Sequence, residues 1–319
     1  MQRFDGKTAI VTGGGGGIGG ATCRRLAAEG AKVAVFDMNL EAAEKVAADI
    51  RASGGQAAAF ACNITDRAQV DAAVAAAQAQ LGPIAVLVNN AGWDIFKPFT
   101  KTVPAEWAKL IDINLTGALH MLHAVLPGMV ERKYGRIVNV ASDAARGGSS
   151  GEAVYSACKG GLVALSKTLA REHARQSITV NVVCPGPTDT ALLAGVAEGA
   201  RDPAKLLEAF RSAIPLGRLG QPDDLASAIA FFGSDDAGFI TGQDGNICSC
   251  IYYGRIIIDR HQYLCRATTT IPGVCCSKCI CGGTNWIGSW IGSWVASWDE
   301  SWKWGWKWSW CCGWKGSWS

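Results

Sequence analysis

The 319-residue sequence has little charge and no marked excess of either sign. Only 18% of its residues are charged, and 30 Lys and Arg against 27 Asp and Glu give a formal net charge of +3. The first 243 residues carry 23 basic and 23 acidic residues, so the whole excess belongs to the remainder. Nucleic-acid-binding proteins usually concentrate basic residues on one surface, and we therefore expect no nucleic-acid partner.

Long apolar runs are also lacking. None approaches the ~20 residues that span a bilayer, so we expect no membrane partner. The amino terminus, MQRFDGKTAIVTG, leads directly into a strand-like run and has no secretory signal pattern. We therefore predict a cytoplasmic protein. With 49% hydrophobic residues, the chain has ample material for a folded core.

Cysteine and tryptophan are scarce in the first 243 residues and abundant after them. The four cysteines there are scattered without metal-ligand spacing, as expected of reduced thiols. Nine of the 13 cysteines and eleven of the 13 tryptophans lie beyond residue 247. We therefore predict a folded domain over residues 1–243 and a low-complexity tail over 244–319.

The tail has no consistent period. Trp recurs every fourth residue from Trp286 to Trp302 and then every second residue to Trp310, which are helix and strand spacings respectively. We interpret the tail as disordered or as a frameshift product, and assign no metal site. A zinc site around the C-x-x-C pair Cys276 and Cys279, or a Trp-rich membrane-surface segment, are the alternatives.

Short runs rich in Val, Ile and Ala alternate with longer amphipathic segments through residue 243. This alternation is typical of βαβ units around a parallel sheet. Six strands are predicted, centred on residues 9–11, 33–36, 58–61, 86–88, 137–140 and 180–183. Six helices are predicted over residues 17–29, 40–53, 66–81, 104–132, 152–175 and 222–234. The expected fold class is α/β, a single-domain Rossmann fold with a doubly wound parallel sheet.

A glycine-rich turn, TGGGGGIGG at residues 12–20, joins the first predicted strand to the first helix. Gly13, Gly17 and Gly19 follow the pattern T-G-x-x-x-G-x-G. Glycine lets the backbone approach a pyrophosphate closely, and the helix amino terminus offers N–H groups to it. The turn predicts a dinucleotide phosphate site, with a flexible turn lacking any ligand as the alternative.

Asp37 ends the second predicted strand, 18 residues after Gly19. A carboxylate about 20 residues beyond such a turn binds the adenosine ribose. Its charge would repel a 2′-phosphate, and no Arg or Lys follows directly. We therefore predict NAD as the cofactor; the alternative is that Asp37 caps the helix that begins near Leu40.

The segment YSACK places Tyr155 and Lys159 four residues apart, on one face of a helix. A tyrosine becomes a usable base where a nearby ammonium favours its ionised form. Ser142 follows the fifth strand, where its hydroxyl could hold a substrate oxygen. Asn114, in DINLTG, could order a water near Lys159. These four are the predicted catalytic residues; a surface pair and a turn serine are the alternatives.

Together these motifs resemble the short-chain dehydrogenase/reductase family. The likeness rests on TGGGGGIG, NNAG at residues 89–92, Asn114, Ser142, YSACK and PGPTDT at residues 185–190, and it ends near Gln243. It implies that the dinucleotide contacts Tyr155, Lys159 and a larger set: Gly13, Gly17, Ile18, Gly19, Asp37, Asn63, Ile64, Asn90, Ala91, Gly92, Pro185, Gly186 and Thr188. The family usually has Asp where Asn63 stands, and the Asn amide oxygen can still accept from adenine.

A closer likeness, in NNAGWDIFKPFTK and ASDAARGGSSGEAVYSACKGGLVA, points to family members that act on cyclic hydroxyacyl-CoA thioesters. It implies oxidation of 2-hydroxycyclohexane-1-carboxyl-CoA, or a similar β-hydroxyacyl thioester, to the 2-oxo thioester in aromatic-compound breakdown. It also implies a homotetramer. The alternatives are a 3-oxoacyl thioester reductase of the same family and a non-catalytic dinucleotide-binding protein.

Residues near the predicted strand ends are candidates for the substrate pocket: Trp93, Asp94, Asp143, Arg146, Glu152 and Leu192. The phosphates of CoA require cations on the rim of the pocket. Arg146, Arg211 and Arg218 are the candidates for that role, with ordinary surface charge as the alternative.

The sequence after TGQ at residues 241–243 departs from the family. Members usually continue with a seventh strand and a Gly-Gly turn, whereas this chain has DGNICSC. We therefore expect the last strand to be missing, which would expose the edge of the sheet. RIIID, residues 255–259, is the candidate substitute.

Overall fold

The computed structural model of the protein describes residues 2–198 and 202–247. Within them, one sheet contains seven strands: β1 (Thr8–Thr12), β2 (Lys32–Asp37), β3 (Gln56–Ala61), β4 (Ile84–Asn89), β5 (Gly135–Val140), β6 (Ile178–Pro185) and β7 (Asp244–Ile247). All neighbours pair in parallel, in the order β3-β2-β1-β4-β5-β6-β7. From β1 the chain adds strands first on one side, β2 and β3, and then on the other side, starting with β4. The switch point between β1 and β4 is where such sheets bind ligands.

Helices cover both faces of this sheet. They are α1 (Gly17–Ala28), α2 (Leu40–Ala52), α3 (Arg67–Leu81), α4 (Pro104–Ile111), α5 (Gly117–Arg132), α6 (Ala144–Gly147), α7 (Ala153–His173), α8 (Ala191–Glu198), α9 (Pro203–Ala213) and α10 (Pro222–Phe232). A π-helical turn, Asp112–Thr116, joins α4 to α5, and short 3-10 turns lie at Phe99–Lys101, Ala174–Gln176 and Asp235–Ala237. The predicted doubly wound α/β fold is confirmed.

The core consists of two apolar layers, one on each side of the sheet. Val11 contributes to the layer beneath α1, α2 and α10, whereas its neighbour Ile10 contributes to the layer beneath α3 and α5. Successive side chains of a strand point to opposite faces. A strand buried on both faces therefore needs a continuous apolar run, which is the pattern that predicted β1 to β6.

The helical segment Pro104–Arg132 is long and apolar enough to cross a membrane by length and composition alone, since an 18-residue window within it has a mean hydropathy of 1.2. Its apolar side chains Met121, Val125 and Met129 are buried against the sheet. A buried core helix passes the same test of length and composition, and these contacts are those of a core helix.

Two helices after β6 were not predicted. The region of α8 and α9 is broken by Gly195, Gly199 and Pro203, which obscure the helical period. The dipeptide Asp202-Pro203 was nevertheless a sequence signal for the start of α9. In the structure the Asp202 side chain accepts from the Lys205 N–H, and Pro203 occupies the first turn. Asp followed by Pro is a recognised helix start.

The prediction that the last strand is missing is wrong. Asp244–Ile247 forms β7 and pairs with the carboxyl half of β6, from Val182 to Pro185. Parallel pairing is made by backbone groups, so DGNI pairs although it lacks the β-branched pattern of a typical strand. β7 lies beyond the predicted domain boundary at residue 243. The non-catalytic alternative is based on the unusual tail, whose residues after 247 lie outside the described part of the chain.

The segment before β7 is anchored by a buried side chain of β6. Asn181 Nδ2 donates to the Ile240 carbonyl at 2.8 Å, and Asn181 Oδ1 accepts from the Gln243 N–H at 3.1 Å. These bonds position the chain where β7 begins. The candidate substitute strand at 255–259, the Trp repeats and the Cys276 and Cys279 pair lie outside the described residues.

Replacing Asn181 with Ala should destabilise the protein by about 2 kcal/mol, because two backbone groups would lose their buried partners. Urea unfolding followed by circular dichroism measures this change. Gln243→Ala is the control, since the Gln243 side chain bonds only at the surface, to the Thr241 carbonyl, and should cost less than about 0.5 kcal/mol. Equal losses in the two variants would contradict the anchoring role of Asn181.

Candidate active site

A cavity of about 640 Å³ opens at the carboxyl ends of β1, β2, β4, β5 and β6. Its lining begins at the glycine turn and Asp37, passes the NNAG segment and ends at Ser142, Tyr155 and α8. This is the position at which doubly wound sheets bind their ligands. One cavity thus contains most of the residues that the sequence singled out.

The glycine turn is shaped for close approach of a phosphate group. Gly13 and Gly17 have φ of +63° and +50°, a region that favours glycine. A Cβ on Gly19 would lie 2.0 Å from the Gly13 carbonyl oxygen, so only glycine fits there. Gly16 and Gly17 begin α1 and line the cavity. The first-turn N–H groups and the positive end of the helix dipole therefore suit a pyrophosphate.

Thr12 connects this turn to the end of β4. Its hydroxyl oxygen accepts from the Asn90 and Ala91 N–H groups at 3.0 and 3.1 Å. In return, Asn90 Nδ2 donates to the Thr12 carbonyl at 3.0 Å and to the Gly13 carbonyl at 3.3 Å. Thr12 was not singled out as a site residue, although its place between β1 and the glycines is the signal that could have indicated it.

Asp37 lines the cavity beside the turn. Its Oδ2 accepts from the Gly15 N–H at 3.0 Å and its Oδ1 from the Asn39 N–H at 2.9 Å. The side chain that caps α2 is Asn39, which accepts from the Ala42 N–H. The alternative in which Asp37 is the helix cap is therefore wrong, and the carboxylate is held at the position predicted for a ribose contact.

Asn63 and Ile64 do not line the cavity formed by residues 2–198 and 202–247. Asn63 Oδ1 accepts from both the backbone N–H and the hydroxyl of Thr65, at 3.1 and 2.9 Å. Such turns engage the amide oxygen locally, so the predicted adenine acceptor is already bonded. Ile64 is buried, and its Cδ1 would lie 2.5 Å from a Cβ on Gly117, which makes it a packing residue.

Tyr155, Lys159 and Ser142 are together at the other end of the cavity. Tyr155 and Lys159 are buried in the first turns of α7, and the Lys159 Nζ lies 5.6 Å from the centre of the tyrosine ring. Ser142 lines the same part of the cavity and lowers the pKa of Tyr155. Lys159 Nζ donates to the Val140 carbonyl at 3.0 Å, which directs it under the cavity floor. The three side chains can therefore act on one substrate oxygen.

Asn114 lies behind these residues, in the π-helical turn, and is outside the cavity lining of the described chain. Its Nδ2 donates to the Trp93 and Leu110 carbonyls, and its Oδ1 accepts from the Trp93 N–H. A Cβ on Gly92 would lie 3.1 Å from Asn114 Oδ1 and 3.3 Å from Lys159 Nζ. The absent side chain of Gly92 thus leaves a narrow gap between the two, where the predicted water would lie.

Burial controls the ionisation of the site. Loss of solvent raises the pKa of Tyr155, and the charges of Asp94 and Glu152 raise it further, while the nearby Ser142 opposes them. Burial also lowers the pKa of Lys159 to about 8. The neutral phenol is therefore favoured, and Tyr155 needs an added positive charge to become a base.

The predicted substrate residues divide into two groups. Asp94, Asp143, Glu152 and Leu192 line the cavity, whereas Trp93 packs beside Leu110 under the Lys109 ammonium, 3.9 Å from its ring centre. Sequence reasoning missed further apolar lining residues: Phe96, Leu193, Val196 and Phe210. Three of these belong to α8 and α9, which were not predicted, so no signal placed them at the site.

The arginines proposed for CoA phosphates are absent from the cavity lining in the described part of the chain. Arg146 faces Asp244 at 3.7 Å, Arg211 faces Glu208 at 3.6 Å, and Arg218 is paired with Asp224 at 2.6 Å. Exposed side chains in such pairs are ordinary surface charge. The structure therefore supports the alternative, in which these three arginines are ordinary surface charge.

A family model described as short chain dehydrogenase matches residues 7–201. The chain belongs to the short-chain dehydrogenase family. Acetoacetyl-CoA reductase of Shinella zoogloeoides is 41% identical over 238 residues, covering 74% of this chain and 94% of that protein. The 3-oxoacyl-(acyl-carrier-protein) reductase of Escherichia coli (strain K12) is 35% identical over 251 residues, covering 79% and 99%.

Two solved structures of this size and fold are similar to the short-chain dehydrogenase described here. Levodione reductase has a TM-score of 0.75 and 33% identity, over 77% of this chain and 97% of its own. NAD+-bound xylitol dehydrogenase has a TM-score of 0.73 and 36% identity, over 77% and 99%. The chain is therefore an oxidoreductase that acts on CH–OH groups with a nicotinamide cofactor, and its glycine turn and Asp37 fit that cofactor.

Substituting Gly19 with Ala should weaken NADH binding by at least about 100-fold, because the added methyl collides with the Gly13 carbonyl and displaces the turn. Fluorescence titration with NADH measures the affinity. Gly20→Ala is the matched control on the same helix, since its methyl meets neighbours only at 3.5 Å and beyond. If both variants bound NADH like the wild type, the turn would not be the phosphate site.

Proposed function

We propose that the protein oxidises the hydroxyl group of 2-hydroxycyclohexane-1-carboxyl-CoA, or of a similar β-hydroxyacyl thioester, with NAD+. The products are the 2-oxo thioester and NADH. The observation that carries this proposal is the cavity itself, which has the glycine turn and Asp37 at one end and Ser142, Tyr155 and Lys159 at the other. A cytoplasmic location, a homotetrameric assembly and a place in aromatic-compound breakdown belong to the same proposal.

The residues of the chain divide the reaction among them. The glycine turn and Asp37 would hold NAD+, whose nicotinamide would supply the acceptor for the hydride of the carbinol carbon. Ser142 holds the substrate oxygen through its hydroxyl, and ionised Tyr155 takes the hydroxyl proton. The Lys159 ammonium stabilises the tyrosinate. Asn114 holds a water next to Lys159, through which the proton continues to solvent.

The lining of the cavity supports a ring-bearing acyl group. Its lining includes the apolar side chains of Phe96, Leu192, Val196 and Phe210. An apolar wall of this kind suits a cyclohexane ring, since ligand sites combine apolar surface with a few polar groups. The sequence likeness in NNAGWDIFKPFTK and around YSACK supports the same substrate.

A 3-oxoacyl thioester reductase is the second candidate. Two relatives bear the names acetoacetyl-CoA reductase and 3-oxoacyl-(acyl-carrier-protein) reductase, and both names describe an oxygen β to a thioester. The two candidates therefore share a substrate class and differ in direction and cofactor. Asp37 favours NAD over NADP, because a carboxylate repels a 2′-phosphate.

Replacing Tyr155 with Phe should lower kcat for oxidation of the hydroxycyclohexane thioester by at least about 100-fold, since the proton acceptor is lost. In the wild type the oxidation rate should rise with pH, because burial raises the pKa of Tyr155 and the base form accumulates at alkaline pH. The NADH absorbance measures both. Tyr134→Phe is the control, because the Tyr134 hydroxyl bonds Asp235 instead. Wild-type turnover in Tyr155→Phe would remove Tyr155 from the mechanism.

Replacing Asp37 with Ser should lower kcat/KM with NAD+ by about 10-fold and raise it with NADP+, because the ribose acceptor and the repulsive charge are both removed. Steady-state kinetics with each dinucleotide measures the ratio. Asp49→Ser is the control, as Asp49 is an exposed carboxylate facing Arg24 at 3.8 Å. A wild-type preference for NADP+ would instead favour the reductase candidate.

A further inference from the structure

A chain of buried side-chain hydrogen bonds runs from the end of β4 across β5 to α7. Asn89 Nδ2 donates to Asn139 Oδ1 at 2.8 Å, and Asn139 Nδ2 donates to Ser166 Oγ at 2.8 Å. The Ser166 hydroxyl in turn donates to the Leu162 carbonyl, one turn earlier in α7, at 2.7 Å. Asn139 and Ser166 are completely buried, and Asn89 is 5% exposed. Both polar atoms of the Asn139 amide are therefore bonded, which fixes the orientation of this side chain.

The bond between Asn139 and Ser166 crosses a contact that is otherwise apolar. Ile137, two residues before Asn139, and Ala170, four residues after Ser166, both belong to the apolar layer beneath α3 and α5. Apolar contact is non-directional, so it holds a helix on a sheet without specifying how far the helix slides or turns. A hydrogen bond is directional, and breaking it in a buried place leaves a donor without a partner. The bond therefore specifies one position of α7 along β5.

The helix α7 is attached to β5 at a second point, where Lys159 Nζ donates to the Val140 carbonyl at 3.0 Å. Val140 follows Asn139 directly, and Lys159 precedes Ser166 by seven residues. Seven residues make about two helical turns, so the two attachments lie on the same face of α7. Two attachments on one face restrict both the sliding and the rotation of a helix. The Ser166 bond thus helps to hold the part of α7 from which Tyr155 and Lys159 extend.

The same chain of bonds continues to the glycine turn. Asn89 is followed directly by Asn90, whose Nδ2 donates to the Thr12 and Gly13 carbonyls. One connected set of contacts therefore runs from the phosphate end of the cavity to the catalytic helix. Transfer between two bound reactants depends on holding them in a defined geometry. A displacement of α7 would change where its side chains lie relative to a dinucleotide held at the glycine turn.

We propose that Asn139 and Ser166 are positioning residues, whose hydrogen bond holds α7 where Lys159 and Tyr155 reach the reacting oxygen. This inference rests on the proposed function and adds two residues to the same site. Neither residue belongs to the cavity lining of the described chain, so both act through α7. Without their bond, the Lys159 ammonium is held less closely beneath the cavity, and it then stabilises the tyrosinate less.

Replacing Ser166 with Ala removes the acceptor of the Asn139 amide. The kcat for NAD+-dependent oxidation of the hydroxycyclohexane thioester should fall at least about 10-fold, and the rise of kcat with pH should move at least about 0.5 pH units higher. The Kd of NADH should change less than about 3-fold, because the glycine turn and Asp37 are untouched. Thr168→Ala is the matched control and should behave like the wild type, since Thr168 donates to the Ala164 carbonyl at 3.2 Å on the exposed face of the same helix.

Two further variants separate positioning from stability. Ser166→Cys fills the same space with a much weaker acceptor, so it preserves the packing of α7, and its pH dependence should move in the same direction as that of Ser166→Ala. Val70→Ala removes two buried methyl groups from α3, so it should lower the urea midpoint while kcat and its pH dependence stay at the wild-type values. A wild-type pH dependence in both Ser166 variants, or an equal displacement in Val70→Ala, would overturn the proposal.

Ultraviolet difference absorbance of tyrosinate tests the positioning without turnover. The NAD+ complexes of the wild type and of Ser166→Ala are titrated with alkali, and each is compared with the same complex that also carries Tyr155→Phe, so that the difference reports Tyr155. The midpoint should be at least about 0.5 pH units higher in Ser166→Ala. Equal midpoints would overturn the positioning role even if the thioester is oxidised. A higher midpoint in a protein that oxidises no hydroxyacyl thioester would support the positioning role and refute the proposed function.

Discussion

The contact between Gly13 and Gly19 is the constraint on which the site depends. The absence of a side chain on Gly19 lets α1 begin against the end of β1, so that its first turn faces the cavity. Thr12 and Asn90 then bond the end of β4 to that turn, which fixes where the chain leaves the sheet toward Asp94. One close backbone approach therefore positions both the phosphate end of the cavity and the segment that carries Asp94.

The catalytic end is built from groups whose burial opposes their ionisation. Lys159 is 3% exposed and Tyr155 is 9% exposed, so desolvation lowers the pKa of one and raises that of the other. The bond from Lys159 to the Val140 carbonyl holds the ammonium in place, and Gly92, which has no side chain, leaves space beside it. An ammonium placed in this way keeps its charge available to a nearby tyrosinate, and a positive nicotinamide ring adds to it.

Residues whose function depends on local geometry could be predicted from the sequence. β1 to β6 are buried on both faces, so their sequences are continuous apolar runs that predict strands. The spacing of four residues between Tyr155 and Lys159 predicts that they share one face of a helix. β7 could not be predicted, because an edge strand can pair through its backbone alone. Other contacts depend on which side chains and backbone groups lie nearby, and residue spacing does not predict them. Examples are the surface ion pair of Arg218 with Asp224 and the hydrogen bonds from Thr65 to the Asn63 amide oxygen.

Two acidic residues of the cavity, Asp94 and Glu152, are electrostatically linked to the catalytic base. Asp94 and Glu152 both raise the pKa of Tyr155, so each negative charge on the pair opposes formation of the tyrosinate. Burial raises the pKa of Asp94 to about 9, so near neutral pH Asp94 is largely uncharged and its own opposition to the tyrosinate is removed. Burial thus acts on the base in two ways: it disfavours the tyrosinate directly, and by neutralising Asp94 it removes part of the electrostatic opposition to it.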